Sequence, residues 1–353
     1  MTSALQRRAA VLAAVLLTAA LAGCSRDREG ATGAAVSVAP ASGPASVGVD
    51  LPRSDSDFWN AFARYVPERA DSLGVSLVGP TNSQNEVQKV ISNIDSLVTQ
   101  GAGALVISPQ DTGAIGPKLD ELAGRGIPVV SVDTRPDTGR VYMVVRADNR
   151  AYGTKACEFL GEQLGGTGKV VEFQGALSSI NGRDRSEAFK ECMTTKFPGI
   201  TVFEEPTDWE GTKAQAALET RLATDPDING IYMQAGGVFL DPTLQVLRQR
   251  DLLLPPDDPR HITIVSNDGI PQEFEAIRNG EIDATVSQPA DLYAEYGLYW
   301  AQQALQGVTP AVGPTDHDST VIELPNGFED QLSAPLVTRD NVDDPALWGN
   351  GNS

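Results

Sequence analysis

Arg183, Asp184 and Arg185 open a predicted helix just after a glycine- and serine-rich turn over 175–182. The turn follows a short apolar run, Val170, Val171 and Phe173, that suits a buried strand. Open α/β sheets bind ligands just beyond the carboxyl ends of their strands, which is where this turn falls. Guanidinium groups at a helix start oppose the macrodipole, so two of them need carboxylate neighbours or a ligand. Asp184 and Glu187 are near enough to be such neighbours, and the residues alone leave both readings open.

Catalytic chemistry finds little support. The chain has only two histidines, His261 and His317, and no Cys/His cluster with zinc spacing. No G-x-S-x-G elbow is present. The run Gly165-Gly166-Thr167-Gly168-Lys169 is followed by Val170 and preceded by a helix, so it reads as a helix stop rather than a phosphate loop. Asp55, Ser56 and Asp57 begin like a calcium loop but lack its glycine and its closing glutamate. The reading is a binding protein without enzyme activity, cofactor or metal.

The chain of 353 residues has room for two domains, and its net charge of −20 repels phosphate backbones and anionic lipid. Nucleic acid is therefore excluded as a partner. Arg7 and Arg8 precede an apolar stretch over 9–22 that is too short to span a membrane, as in a signal peptide. It ends in Leu21-Ala22-Gly23-Cys24, which resembles a bacterial lipobox with Cys24 as the lipidated residue. Residues 1–23 are read as the signal peptide and 24–46 as a flexible tether rich in Ala, Gly, Ser and Pro. The two remaining cysteines, Cys157 and Cys192, flank the strand at 170–173 on predicted helices. In an exported chain they point to one disulfide, with two separately buried thiols as the other arrangement.

Beyond the tether, strands and helices alternate. Strands are expected at 47–51, 75–78, 104–107, 128–132, 170–173, 200–203, 230–233, 262–265 and 284–286. Between them lie helical stripes such as Val87, Val90, Ile91, Ile94, Leu97 and Val98. Such alternation builds parallel sheets from βαβ units, with too many units for one modest sheet. The fold class is therefore α/β, with two doubly wound parallel-sheet lobes. One lobe is assigned to 47–147 with 289–316 and the other to 148–288 with 317–325. Crossovers near 146–148, 288–289 and 315–319 form a three-segment hinge. Residues 326–353 are read as a strap, packed by Leu347 and Trp348, with a tail.

The pattern QG, seven residues, R-x-R, three residues, F, running from Gln174 to Phe189, resembles the periplasmic ribose- and galactose-type sugar-binding proteins of ABC importers. That resemblance implies the type I periplasmic-binding-protein fold and assigns ligand contacts at strand ends. Arg185 would reach the sugar. Phe58 and Trp59 would cover one face of the ring, with Ser56 in place of the family's asparagine and Trp209 on the other face. Asp133, Asp268 and Gln288 match ligand aspartates and a ligand glutamine. The pattern breaks at Thr134, where ribose binders carry arginine, with Arg135 one place later, and at Ala235, where asparagine is usual, so that one ligand bond is either missing or supplied by Gln234. Structural roles compete at single positions: core packing for Phe58 and Trp59, and turns for Asp133 and the Asp268-Gly269 pair.

Carboxylates and a guanidinium can hold several hydroxyls in fixed geometry, and aromatic faces cover the C–H patches of a sugar ring. The implied function is an extracytoplasmic solute-binding lipoprotein, monomeric and anchored to the outer face of the cytoplasmic membrane. It would capture a neutral sugar or polyol and hand it to ABC permease subunits. A receptor presenting a sugar-like signal to a membrane sensor is the alternative.

Overall fold

The computed structural model describes residues 46–351; the signal segment, Cys24 and the tether up to residue 45 lie outside the described residues. The first eight elements are β1 (Ser46–Leu51), α1 (Asp57–Leu73), β2 (Ser76–Asn82), α2 (Val87–Thr99), β3 (Ala104–Ile107), α3 (Gly116–Gly124), β4 (Val129–Val132) and β5 (Met143–Ala147). The next ten are α4 (Asn149–Gln163), β6 (Thr167–Gln174), α5 (Ile180–Lys196), β7 (Gly199–Pro206), α6 (Gly211–Thr224), β8 (Gly230–Met233), α7 (Gly236–Gln249), β9 (Thr263–Asp268), α8 (Pro271–Asn279) and β10 (Ala284–Ser287). After α9 (Ala290–Leu305) come β11 (Gly313–Pro314), β12 (Thr320–Leu324), β13 (Gly327–Leu332) and β14 (Leu336–Thr338).

Among the described residues the strands form two sheets, ordered β11-β12-β13-β5-β4-β3-β1-β2 and β14-β10-β9-β8-β6-β7. The apolar runs of the inner strands are covered on both faces, as parallel sheets require. In the first sheet Val47, Val49, Ala104 and Val106 face α1 and α9, while Leu105, Ile107, Val129 and Val144 face α2 and α3. In the second, Val171, Phe173, Ile231 and Ile264 face α6, α7 and α8, and Val170, Tyr232 and Val265 face α4 and α5. Cys157 on α4 and Cys192 on α5 are joined in a disulfide.

Two lobes of α/β build follow, with one correction to their boundaries. The chain passes from the first sheet to the second after β5 and returns after β10, near the expected crossovers. The third passage lies over 333–335, not 315–319. β12 and β13 form an antiparallel hairpin in which Thr320 pairs with Gln331 and Leu324 with Gly327, and β13 runs parallel to β5. Residues 317–325 therefore belong to the first lobe, as does the start of the supposed strap. Only β14, antiparallel to β10, reaches the second sheet. The hairpin escaped the sequence reading because Glu329 and Asp330, both buried, interrupt its apolar pattern.

Candidate functional site

Each residue singled out by the resemblance sits at or just beyond the carboxyl end of a strand, in the loop or the opening turns of the helix that follows. β1 leads to Ser56, the N-cap of α1, and to Phe58 and Trp59 in its first turn. Asp133 follows β4, β9 ends at Asp268, and Gln288 follows β10. β6 leads into α5 and Arg185, and β7 leads to Trp209. Asp133 (φ 65°), Trp209 (φ 61°) and Asp268 (φ 121°) all hold positive φ. Non-glycine residues rarely adopt that conformation, and it concentrates at functional sites. Gly175 shows why the turn after β6 must be glycine there: a Cβ at that position would overlap the Trp209 indole.

All eight residues line one cavity of about 40 Å³ between the lobes. Phe58, Trp59, Asp133 and Ser56 come from the first lobe, and Arg185, Trp209, Asp268 and Gln288 from the second. Phe58 and Trp59, edge-to-face at 5.2 Å, line the cavity and are also members of the first lobe's core. Bonds across the cleft hold it shut. Arg53 Nη1 donates to the Trp209 carbonyl at 3.0 Å, Gln272 Nε2 to Asp57 Oδ2 at 3.0 Å, and Asn181 Nδ2 to Asp133 Oδ2 at 2.9 Å.

Arg185 is the hub. Its Nε donates to Asn149 Oδ1 at 2.6 Å, Nη1 to the Gln234 carbonyl and Nη2 to Gln288 Oε1 at 3.2 Å. Its guanidinium carbon lies 5.0 Å from the Tyr152 ring centroid and 5.7 Å from that of Trp209. A guanidinium has five N–H donors, so two remain for a ligand. Asp268 Oδ2 accepts from the Gly237 amide at 2.8 Å, in the first turn of α7, and Oδ1 accepts from Gln288 Nε2 at 2.6 Å. Burial pushes the Asp133 carboxyl up to about 6, with Arg185 and Arg146 pulling it back. Burial likewise raises Asp268, against the pull of Arg185.

Two polar atoms of the lining residues are buried without a protein partner: the acceptor Asp133 Oδ1 and the donor Trp209 Nε1. Buried polar groups in folded proteins are almost always paired, so these mark positions for a bound molecule. The arrangement can hold hydroxyl groups from both lobes at once.

Some expectations fail in detail. Gln234 does not replace the missing asparagine, because its side chain is spent on Glu172 Oε1, Ser186 Oγ and the Gly175 amide. Arg135, one place after Thr134, faces Glu329 at 3.8 Å. Conversely, Arg53, Gln110, Asn181 and Val238 line the cavity and were not anticipated. Asn181 had a signal, lying four residues before Arg185 on the same helix face. Among the described residues no group of His, Cys, Asp and Glu could hold a metal ion, and no helix is long and apolar enough to cross a membrane.

Residues 47–309 match the periplasmic binding protein domain. The ribose import binding protein of Haemophilus influenzae is 28% identical over 254 residues, covering 72% of this chain and 83% of the relative. The xylitol-binding protein of Mycolicibacterium smegmatis is 25% identical over 264 residues, covering 74% and 68%. Among solved structures, an ABC transporter solute-binding protein from Mycobacterium smegmatis with bound glycerol superposes with a TM-score of 0.73. It is 24% identical, with 85% of this chain and 96% of that one covered. A galactofuranose binding protein gives a TM-score of 0.72 at 22% identity, with 85% and 96% covered. The relatives are transport binding proteins rather than enzymes. By fold, strand-end chemistry and sequence, the chain belongs to the periplasmic binding protein family of ribose- and galactose-type sugar- and polyol-binding proteins that serve ABC transporters.

Proposed function

We propose that this chain is an exported, monomeric lipoprotein that captures a monosaccharide or sugar alcohol between its lobes and delivers it to ABC permease subunits. The observation that carries the reading is the pair of unfilled buried groups, Asp133 Oδ1 and Trp209 Nε1, beside the two spare N–H donors of Arg185. A ligand must accept and donate at closely spaced points, which is what vicinal hydroxyls do. Asp133 and Asp268 against Arg185 make an extra anion unfavourable, which disfavours phosphates and dicarboxylates. The ligands named for the relatives, ribose and xylitol, are neutral polyhydroxy compounds, as is the glycerol in the structural neighbour. In this scheme Ser56, Phe58, Trp59, Asp133, Arg185, Trp209, Asp268 and Gln288 contact the ligand. The small cavity favours one ring or a short alditol over an oligosaccharide. The Leu21–Cys24 lipobox supports lipidation at Cys24 and a position on the outer face of the cytoplasmic membrane.

A thermal-shift screen over D-ribose, D-allose, D-apiose, xylitol and glycerol, followed by calorimetry, tests the ligand class. Ligand at 100 times Kd stabilises by about 2.7 kcal/mol, a readable shift. Binding of carboxylates or phosphates in place of every polyol would sink the reading. For the anchor, Cys24→Ser should move the protein from the membrane fraction to the soluble fraction.

A further inference from the structure

Asn181 lies on α5, in the second lobe, one helical turn before Arg185, and lines the cavity. Its amide is held at both ends by the first lobe. Arg146 Nη2, on β5, donates to Asn181 Oδ1 at 3.0 Å, and Asn181 Nδ2 donates to Asp133 Oδ2 at 2.9 Å. A guanidinium can only donate and a carboxylate accepts, so the amide has one orientation that satisfies both. Arg146 is fixed in turn by Asp184 Oδ2 at 3.1 Å. Because these bonds join the two lobes, they exist only while the cleft is shut.

The consequence falls on Asp133. Its Oδ2 is engaged by Asn181, whereas its Oδ1 is buried with no protein partner. We infer that Asn181 is a positioning residue of this site: it clamps Asp133 so that Oδ1 alone is left to take a ligand hydroxyl, and it does so only on closure. The inference rests on the polyol reading above and sharpens it. A ligand with a hydroxyl at that point completes the carboxylate, while a deoxy analogue leaves a buried oxygen unpaired and is rejected strongly.

The charged and titratable groups facing Asp133 are Arg185 on α5, Arg146 on β5, Asp268 on β9, Tyr152 on α4 and Tyr293 on α9. Burial raises its carboxyl to about 6, and the Asn181 bond is among the effects that lower it. Removing that bond raises the carboxyl further. Placing a carboxylate at position 181 creates a pair that cannot both ionise at hydrogen-bond distance.

The test is calorimetric titration of wild type, Asn181→Ala and Asn181→Asp with D-ribose, D-allose, D-apiose, xylitol and glycerol, from about pH 5 to about pH 8. Wild-type affinity should be flat above about pH 6 and weaken below it as Asp133 gains a proton. Asn181→Ala should bind about tenfold more weakly, with the break moved to higher pH. Asn181→Asp should be weakest at the alkaline end and tighten as the pH falls, the reverse of wild type. A residue that merely supports α5 would lower affinity equally at every pH. Wild-type affinity and pH profile in both variants, or a uniform loss in Asn181→Asp, overturns the positioning role while leaving the polyol reading intact. If none of the five compounds binds wild type, the polyol reading fails and this inference falls with it.

Discussion

Replacing Arg185 with methionine keeps the unbranched stem against Tyr152 and Trp209 but removes the charge and all five donors. Three buried acceptors lose a charge-assisted bond: Asn149 Oδ1, Gln288 Oε1 and the Gln234 carbonyl. Asn149 and Gln288 can rotate toward other partners, whereas the Gln234 carbonyl is fixed by the backbone. One stranded acceptor and two weakened ones imply a loss of about 3–5 kcal/mol of stability, since each unsatisfied buried group costs ~1–3 kcal/mol. Affinity should fall further. The two N–H groups left for ligand contribute about 1.5–3 kcal/mol each, so their loss raises Kd by at least ~100-fold. Asp133 and Asp268 also lose the charge that most opposes their burial, so both carboxyls climb further above their ordinary range. Ligand contacts that need the ionised carboxylates weaken accordingly at neutral pH. Urea unfolding followed by circular dichroism gives the stability, and calorimetry with whichever polyol binds wild type gives the affinity. A well-folded Arg185→Met protein with Kd within tenfold of wild type would refute Arg185 as the hub of the site.

Three further outcomes follow from the geometry. Glu172 is buried with its carboxyl pushed up to about 8, so between about pH 4.5 and about pH 8 the folded chain keeps a proton that the unfolded chain releases. Stability should therefore fall as pH rises through that window, and Glu172→Gln should flatten the dependence in urea melts. Replacing Cys157 and Cys192 together by serine opens a 35-residue loop and should weaken the fold by up to about 4 kcal/mol; an unchanged urea midpoint would contradict this. Ligand should shift the tryptophan emission, less so in Trp59→Phe, Trp209→Phe and Trp348→Phe, and undiminished in Trp300→Phe, whose indole is bonded to Asp330 in the first lobe.

The inner parallel strands were legible because both faces are buried and leave unbroken apolar runs, as at 104–107 and 230–233. β5 was not, since its sequence MVVRA carries Arg146, whose buried charge is met by Glu329 of its own lobe and by Asp184 and Asn181 of the other. The start of α7 is hidden in the sequence for a related reason. Gly236, Gly237 and Pro242 suggest a turn leading to a helix that begins at the proline, yet the helix opens at Gly236. Starting there places the Gly237 amide on Asp268 Oδ2, and a Cβ on Gly237 would press on Ser56 Oγ, Asp268 Oδ2 and the Phe58 amide. The cavity-lining residues at strand ends were readable one by one from family pattern. Their mutual bonds were not, because Asn181 to Asp133, Arg146 to Asn181 and Arg53 to Trp209 are bonds between lobes distant in sequence.

The end of the chain shows the same dependence on closure. A strap packed by Leu347 and Trp348 was expected over 326–353, with neither residue among those assigned to the ligand. Trp348 joins the first lobe's core, edge-to-face with Phe58 at 6.0 Å. The next residue, Gly349, sits against the Gly269 carbonyl and the Phe274 ring of the second lobe, with no room for a Cβ. Leu347, just before, packs in the second lobe's core. The strap therefore grips both lobes directly behind the aromatic pair that lines the cavity. An aromatic contact of this kind contributes about 0.5–1.5 kcal/mol beyond its buried area. Opening the cleft must either pull Trp348 from Phe58 or drag the strap off α8. The balance between open and shut states thus includes a contribution from the C-terminal strap that is independent of ligand, and Phe58 is where it meets the binding site.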